Sequence, residues 1–146
     1  NTFICSPSDV GNITSTENVQ RRFTKRISAV SHLSYSDRLR VLGLESLEYR
    51  RLKFDIIMFY KIVHNLVDVD RDSLITLRVT ETQTRNSYLK IFKPACMSRI
   101  RCNFFCIRCI NVWNSLSETL RAASSIVNFK HRLHSINLSP FLIVYK

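Results

Sequence analysis

Glycine occurs twice and proline three times in this chain of 146 residues, against an average glycine content of about 7%. Architectures that rely on frequent tight turns with positive φ are therefore disfavoured, and helix is the expected class. Carboxylates are also scarce. Eleven Asp and Glu stand against 22 Lys and Arg, a formal charge of +11 that attracts polyanions such as nucleic acid or anionic lipid. No stretch approaches the eighteen or so consecutive apolar residues that cross a bilayer, and the closing run Phe141 to Tyr145 is far too short, so no membrane partner is expected. The chain opens at Asn1 without methionine and without a charged-then-apolar leader, which reads as a fragment or a processed product. Without a secretory signal the triplets at Asn12 and Asn137 are discounted as glycosylation sites, and five cysteines, an odd count, point to a reducing compartment.

What is present is helical periodicity. A length of 146 residues suits a single core that buries roughly 70% of the unfolded surface. The stretch Leu47 to Val67 places Leu52, Ile56, Phe59, Val63 and Leu66 at steps of four, three, four and three, on one helical face. Ser46 stands where its hydroxyl can accept from the first turn, and Ile57, Met58 and Tyr60 widen the stripe, so neighbours are expected on two sides.

Before this central helix, residues 1–14 have no helical period and read as an irregular lead-in. Thr14 and Glu17 resemble a capping box, and Val19, Phe23, Ile27 and Val30 predict a helix from about Ser15 to Ala29 with those residues inward. Its other face carries Arg21, Arg22, Lys25 and Arg26, which suits either a solvated face or one that contacts phosphates. Ser34 and Asp37 open a short helix with Leu39 and Leu42 inward, ending at Gly43.

After the central helix comes Asp68, Asp70 and Asp72. The spacing starts like a calcium loop, but Ser73 and Val79 stand where that loop needs glycine and glutamate, so a hydrophilic exit is preferred. Between Glu81 and Glu118 there is no acid, while Arg85, Lys90, Lys93, Arg99, Arg101 and Arg108 all fall there. This interval is the expected polyanion-facing surface. Leu74 to Val79 and Tyr88 to Phe92 suggest two short paired strands, with an extended basic arm as the equal alternative, and Tyr88 and Phe92 could stack on unpaired bases or belong to the core. A further helix, Arg101 to Ser115, should bury Phe105, Cys109, Val112 and Trp113. Ser125 should cap a last one to about Ile136, with Phe129 and Leu133 inward and Lys130, His131 and Arg132 outward. Cys102, Cys106 and Cys109 share that helical spacing, with Cys96 upstream and His131 and His134 downstream, and burial as small hydrophobes is preferred over zinc. His32 and His64 have no partner that the sequence names.

These segments also carry a resemblance. Glu17-Asn18-Val19-Gln20-Arg21-Arg22-Phe23-Thr24-Lys25-Arg26-Ile27, Leu33-Ser34-Tyr35-Ser36-Asp37-Arg38-Leu39, Leu42-Gly43-Leu44, Leu47 to Asp55, Tyr60 to Asp68, Thr84-Arg85, Leu89-Lys90, Lys93-Pro94, Phe104-Phe105, Arg108, Ile110, Trp113-Asn114-Ser115-Leu116 and Phe129-Lys130 to Leu133 follow in order. Over roughly Ile4 to Leu138 the chain resembles the carboxy-terminal region of non-LTR (LINE) retrotransposon reverse transcriptases of the jockey and CR1 type. It departs at Leu116-Ser117, where the family has Leu-Pro, and at Cys5, where it often has tryptophan; both suit an ageing copy.

The resemblance implies a parent RNA-directed DNA polymerase whose palm holds a Tyr-x-Asp-Asp pair on Mg2+ ions. That motif is missing and no two acidic residues are adjacent, so this chain is expected to be non-catalytic and to hold no cofactor. The full expectation is all-α: a lead-in over 1–14, one domain over 15–138 with about five helices around the long one and a basic arm between the third and fourth, and a tail over 139–146. Expected partners are RNA or DNA and the upstream polymerase, inside the cell in a nuclear or cytoplasmic ribonucleoprotein, with no small-molecule substrate. Two other roles stay open: a structural brace for the polymerase, and a decayed product without a selected role.

Overall fold

The computed structural model describes residues 10–78 and 89–144, apart from the side chains of Arg99 and Ile100. These residues are all-α. Five helices of seven residues or more match the five expected: α1 (Val10–Lys25), α2 (Tyr35–Val41), α3 (Leu47–Val63), α6 (Phe105–Ser115) and α8 (Ile126–His134). Three short ones of four residues join them: α4 (Arg71–Leu74), α5 (Arg99–Cys102) and α7 (Glu118–Arg121). Among the described residues the single extended pairing is the antiparallel bridge Leu77↔Ile91.

Contacts divide the described chain into two compact units, residues 10–52 with 138–144 and residues 53–78 with 89–137. In the first, Ile13, Val30, Leu39, Leu138 and Leu142 are buried together with Glu17, Thr24, Arg38 and Glu48. Glu17 explains this polar interior. Its carboxylate accepts from Leu47 N–H at 2.9 Å and Glu48 N–H at 3.3 Å, and from the Tyr35 hydroxyl. Ser46 Oγ accepts from Tyr49 N–H at 3.2 Å. A carboxylate and a hydroxyl together thus satisfy three of the donors that the start of α3 leaves open, at the end where the helix dipole favours negative charge.

The position of Glu17 also corrects the expected face and limits of α1. The helix starts at Val10 rather than Ser15, Ile13, Glu17 and Thr24 point inward, and Val19 and Phe23 are each 67% exposed. Apolar periodicity is overridden because the cap needs its carboxylate inside. Arg38 closes the other end of this layer: its guanidinium donates to Thr24 Oγ1 at 3.2 Å, Leu33 O at 2.7 Å and Arg21 O at 3.4 Å. The stretch read as a tail is tied in as well, since Val144 N–H donates to Glu48 and Leu138 N–H to Tyr49 Oη.

Two helix ends, those of α2 and α3, follow one device. At Gly43 (φ +63°) Leu44 N–H reaches back to Leu39 O, and at Asn65 (φ +53°) Leu66 N–H reaches back to Lys61 O. Both are left-handed caps of the Schellman type. The second stops α3 at Val63, four residues short of the expected Val67, and leaves Leu66 54% exposed instead of in the core.

The second unit packs around an aromatic cluster. Trp113 and Phe129 are fully buried, Phe59 meets Trp113 edge-on at 5.5 Å, and Tyr60 stacks on Phe129 at 4.2 Å. Tyr60 Oη donates to Ala123 O at 2.7 Å, so its polar tip is satisfied inside. The expected single helix Arg101 to Ser115 is broken at Asn103 and Phe104, where Arg108 donates to Asn103 O at 3.3 Å and Phe104 takes the N-cap position. Arg121 is completely buried beyond the end of α6, with its guanidinium donating to Asn114 O at 3.4 Å and to Leu116 O, carbonyls the finished helix leaves open. Burial lowers its pKa from the usual guanidinium value.

Candidate nucleic-acid interface

Two groups of cations can be described, one in each unit. On α1 and the turn that follows it, Arg22, Lys25 and Arg26 are exposed, and among the described residues no carboxylate pairs with them. Arg21 is exposed too, with its guanidinium 4.7 Å above the Tyr35 ring. The expected outward cations are therefore outward, but they share their surface with Val19 and Phe23.

The second group lies on the arm that joins α4 to α5. Leu77 and Ile91 are paired across it, with Arg78 N–H donating to Lys90 O and Phe92 N–H to Thr76 O, both at 2.8 Å. Side chains alternate along an extended strand, so the buried Ile91 faces inward while this register sets Arg78 opposite Lys90 and Thr76 opposite Phe92 on the other face. Trp113 and Asn114 hold the returning strand. Trp113 Nε1–H donates to Leu89 O at 2.8 Å, Asn114 Oδ1 accepts from Ile91 N–H at 2.9 Å, and Asn114 Nδ2 donates to Ile91 O at 2.8 Å. The side-chain amide thus acts as a third strand edge. Sequence reading gave Trp113-Asn114 no such role, and the signal available was a polar residue placed next to a core tryptophan.

Thr76, Arg78, Phe92, Lys93 and Asn114 line a cleft of about 650 Å³ beside this pairing. Arg78 and Lys93 are exposed, Phe92 is 54% exposed, and among the described residues none of Arg78, Lys90, Lys93 and Arg101 has a carboxylate partner. Arg78 was not among the residues singled out from the sequence, because it precedes the acid-free interval. Arg101 is exposed on α5, Arg99 contributes only its backbone to the description, and Arg85 and Tyr88 lie outside the described residues.

Arg108 belongs to the fold instead. Nε and Nη2 both donate to Asp55 Oδ2, at 3.2 and 2.9 Å, and the guanidinium lies 5.5 Å from the Phe105 ring centroid. Its partner Asp55 is 4% exposed, so this cation neutralises a buried carboxylate rather than facing solvent.

The other residues weighed for metal or nucleophile chemistry are packed, capping or exposed. Cys106 and Cys109 are buried as expected of small hydrophobes; burial pushes the Cys106 thiol up to about 11 and raises that of Cys109, so both stay protonated at neutral pH. Cys102 donates to Cys96 O at 3.6 Å, and its hydrogen bonding with Cys96 raises its pKa. His64 Nε2 lies 2.8 Å from Arg121 O while its ring packs on Tyr60 at 4.2 Å. Asp70 caps α4 by accepting from Asp72 N–H at 3.2 Å, and Asp68 and Asp72 are exposed. Among the described residues no three His, Cys, Asp or Glu side chains gather as metal ligands, and no helix is long and apolar enough to cross a membrane.

No family model, curated protein or solved structure matches the chain, so the case for function rests on its residues and their geometry.

Proposed function

We infer that this chain is a non-catalytic module that associates with nucleic acid, the carboxy-terminal segment of a LINE-type reverse transcriptase holding template RNA or target DNA for a polymerase encoded upstream. The observation that carries it is the set of exposed cations Arg22, Lys25, Arg26, Arg78, Lys93 and Arg101, none with a carboxylate partner among the described residues. Phosphates answer such cations by releasing counterions, with little dependence on base sequence. The ordered likeness over Ile4 to Leu138 supports the choice of family, and the missing Tyr-x-Asp-Asp is in keeping with a non-catalytic role. On this reading the module works inside the cell in a ribonucleoprotein and needs no cofactor of its own.

Replacing Arg22, Lys25 and Arg26 by glutamine, and separately Arg78, Lys90 and Lys93, tests it. Each set should weaken RNA binding at low salt by tenfold or more and flatten the salt dependence. Unchanged affinity in both sets would remove the reading.

A second reading, a brace for the polymerase, is favoured by Val19 and Phe23, apolar side chains held outward on α1. It predicts that Val19→Ser with Phe23→Ser weakens association with the polymerase domain and leaves RNA affinity unchanged.

A further inference from the structure

The cleft on the arm has the parts of a site for one unpaired nucleotide. We propose that it takes single-stranded nucleic acid, with a base stacked on Phe92 and the adjoining phosphates held by Arg78 and Lys93. The proposal deepens the nucleic-acid reading above and rests on it.

Three independent features support it. Phe92 is 54% exposed on a cleft whose other walls include two exposed cations. An aromatic face among cations that have no carboxylate partner among the described residues matches how single strands are held, by stacking plus backbone charge. The volume of about 650 Å³ also falls within the range of preformed ligand pockets.

The second feature is electrostatic. The bridge register sets Arg78 directly across from Lys90. Like charges at such a position repel, and an anion bound to Arg78, which lines the cleft, relieves that repulsion. Among the described residues neither Arg78 nor Lys90 has a carboxylate partner to do this.

The third is rigidity. Leu89 adopts φ +53°, a left-handed conformation that costs a side chain with a Cβ free energy, and Trp113 fixes its carbonyl. Strain of this kind persists only where neighbouring contacts over-determine it, and here the two hydrogen bonds between Asn114 and Ile91 do so. The cleft is preorganised, and an aromatic ring so placed stacks on a base freed from its neighbours, which the interior of a duplex does not offer.

Fluorescence anisotropy on the full chain with labelled oligo-U, oligo-dT and a matched duplex, each about twelve units long, provides the test. Phe92→Leu should weaken both single strands about 5- to 150-fold and leave the duplex unchanged, and Phe92→Trp should restore single-strand affinity. Arg78→Gln with Lys93→Gln should weaken all three ligands. Equal single-strand affinity for Phe92→Leu and the native chain overturns the proposal while leaving the nucleic-acid reading intact, as does an equal loss on the duplex. Failure of the native chain to bind any of the three at low salt overturns both. Urea midpoints within experimental error of native confirm that each surface variant is folded.

Discussion

Asn114 engages both hydrogen-bonding groups of Ile91, accepting from its N–H at 2.9 Å and donating to its carbonyl at 2.8 Å. One side chain on α6 thereby takes the place of a neighbouring strand, and the basic arm is fixed to the helical core without a sheet. Trp113, the residue before it, adds the bond to Leu89 and fills the centre of the aromatic cluster. Core packing and arm placement are therefore set by two adjacent residues.

Asn114→Leu leaves the N–H and C=O of a buried Ile91 without this partner. The loss should be about 1–3 kcal/mol for unsatisfied buried groups, read as a lower urea midpoint. Hydrogen exchange at the Ile91 amide should accelerate by more than the global loss of stability alone produces, because the arm opens locally.

Glu17 and Phe23 give opposite outcomes to those that hydropathy suggests. Glu17→Ala removes the acceptor for Leu47 and Glu48 at the start of α3, and should cost about 1–3 kcal/mol. Phe23→Ala, at an exposed position, should stay within about 0.5 kcal/mol. Urea denaturation of both variants decides it.

Arg108→Gln strips the buried Asp55 of its cation and should destabilise by about 3 kcal/mol. Since Arg108 faces inward, a mild temperature at which the variant is still folded should show the native salt dependence of RNA binding. A reduced slope would return Arg108 to the interface.

The elements that sequence made legible are those closed by local chemistry. Ser34 caps α2 through Asp37 N–H and Gly43 ends that helix; Ser46 caps α3; Ser125 caps α8 through Asn128 N–H, with Phe129 and Leu133 inward. Where a distant partner decides, the pattern misled. Glu17 answers donors thirty residues away, so Val19 and Phe23 turn outward against their period. Asn65 ends α3 by taking a conformation more often given to glycine, so Leu66 leaves the core. On the candidate site, charge alone located the arm and the α1 cations. It could not separate Arg108 from Lys93, because both are cations in an acid-free interval and only the fold supplies Asp55 to one of them. Arg78 was missed because its role comes from the bridge register, which leaves no local mark, and Asn114 because its only local mark is a polar residue beside a core tryptophan.

Cys106 makes stability depend on pH on the alkaline side. Its thiol is raised to about 11 in the fold from a usual value of 9.0. Above pH 9 the unfolded chain therefore loses this proton first and binds fewer protons than the native one. The contribution is fully present below pH 9 and is lost as pH rises toward 11, on the order of 2 kcal/mol. Urea midpoints at pH 8 and pH 10.5 should converge for Cys106→Ala relative to the native chain, and an equal fall in both would remove the assignment.

Binding of the native chain to a labelled single-stranded RNA, titrated from low to physiological salt, addresses the central claim most directly. If the outward cations meet phosphates, log affinity should fall linearly with log salt, with a slope of about −0.7 for each phosphate neutralised. With three or more cations engaged the slope should be steeper than about −2. A flat dependence, or no binding at the lowest salt, would contradict it.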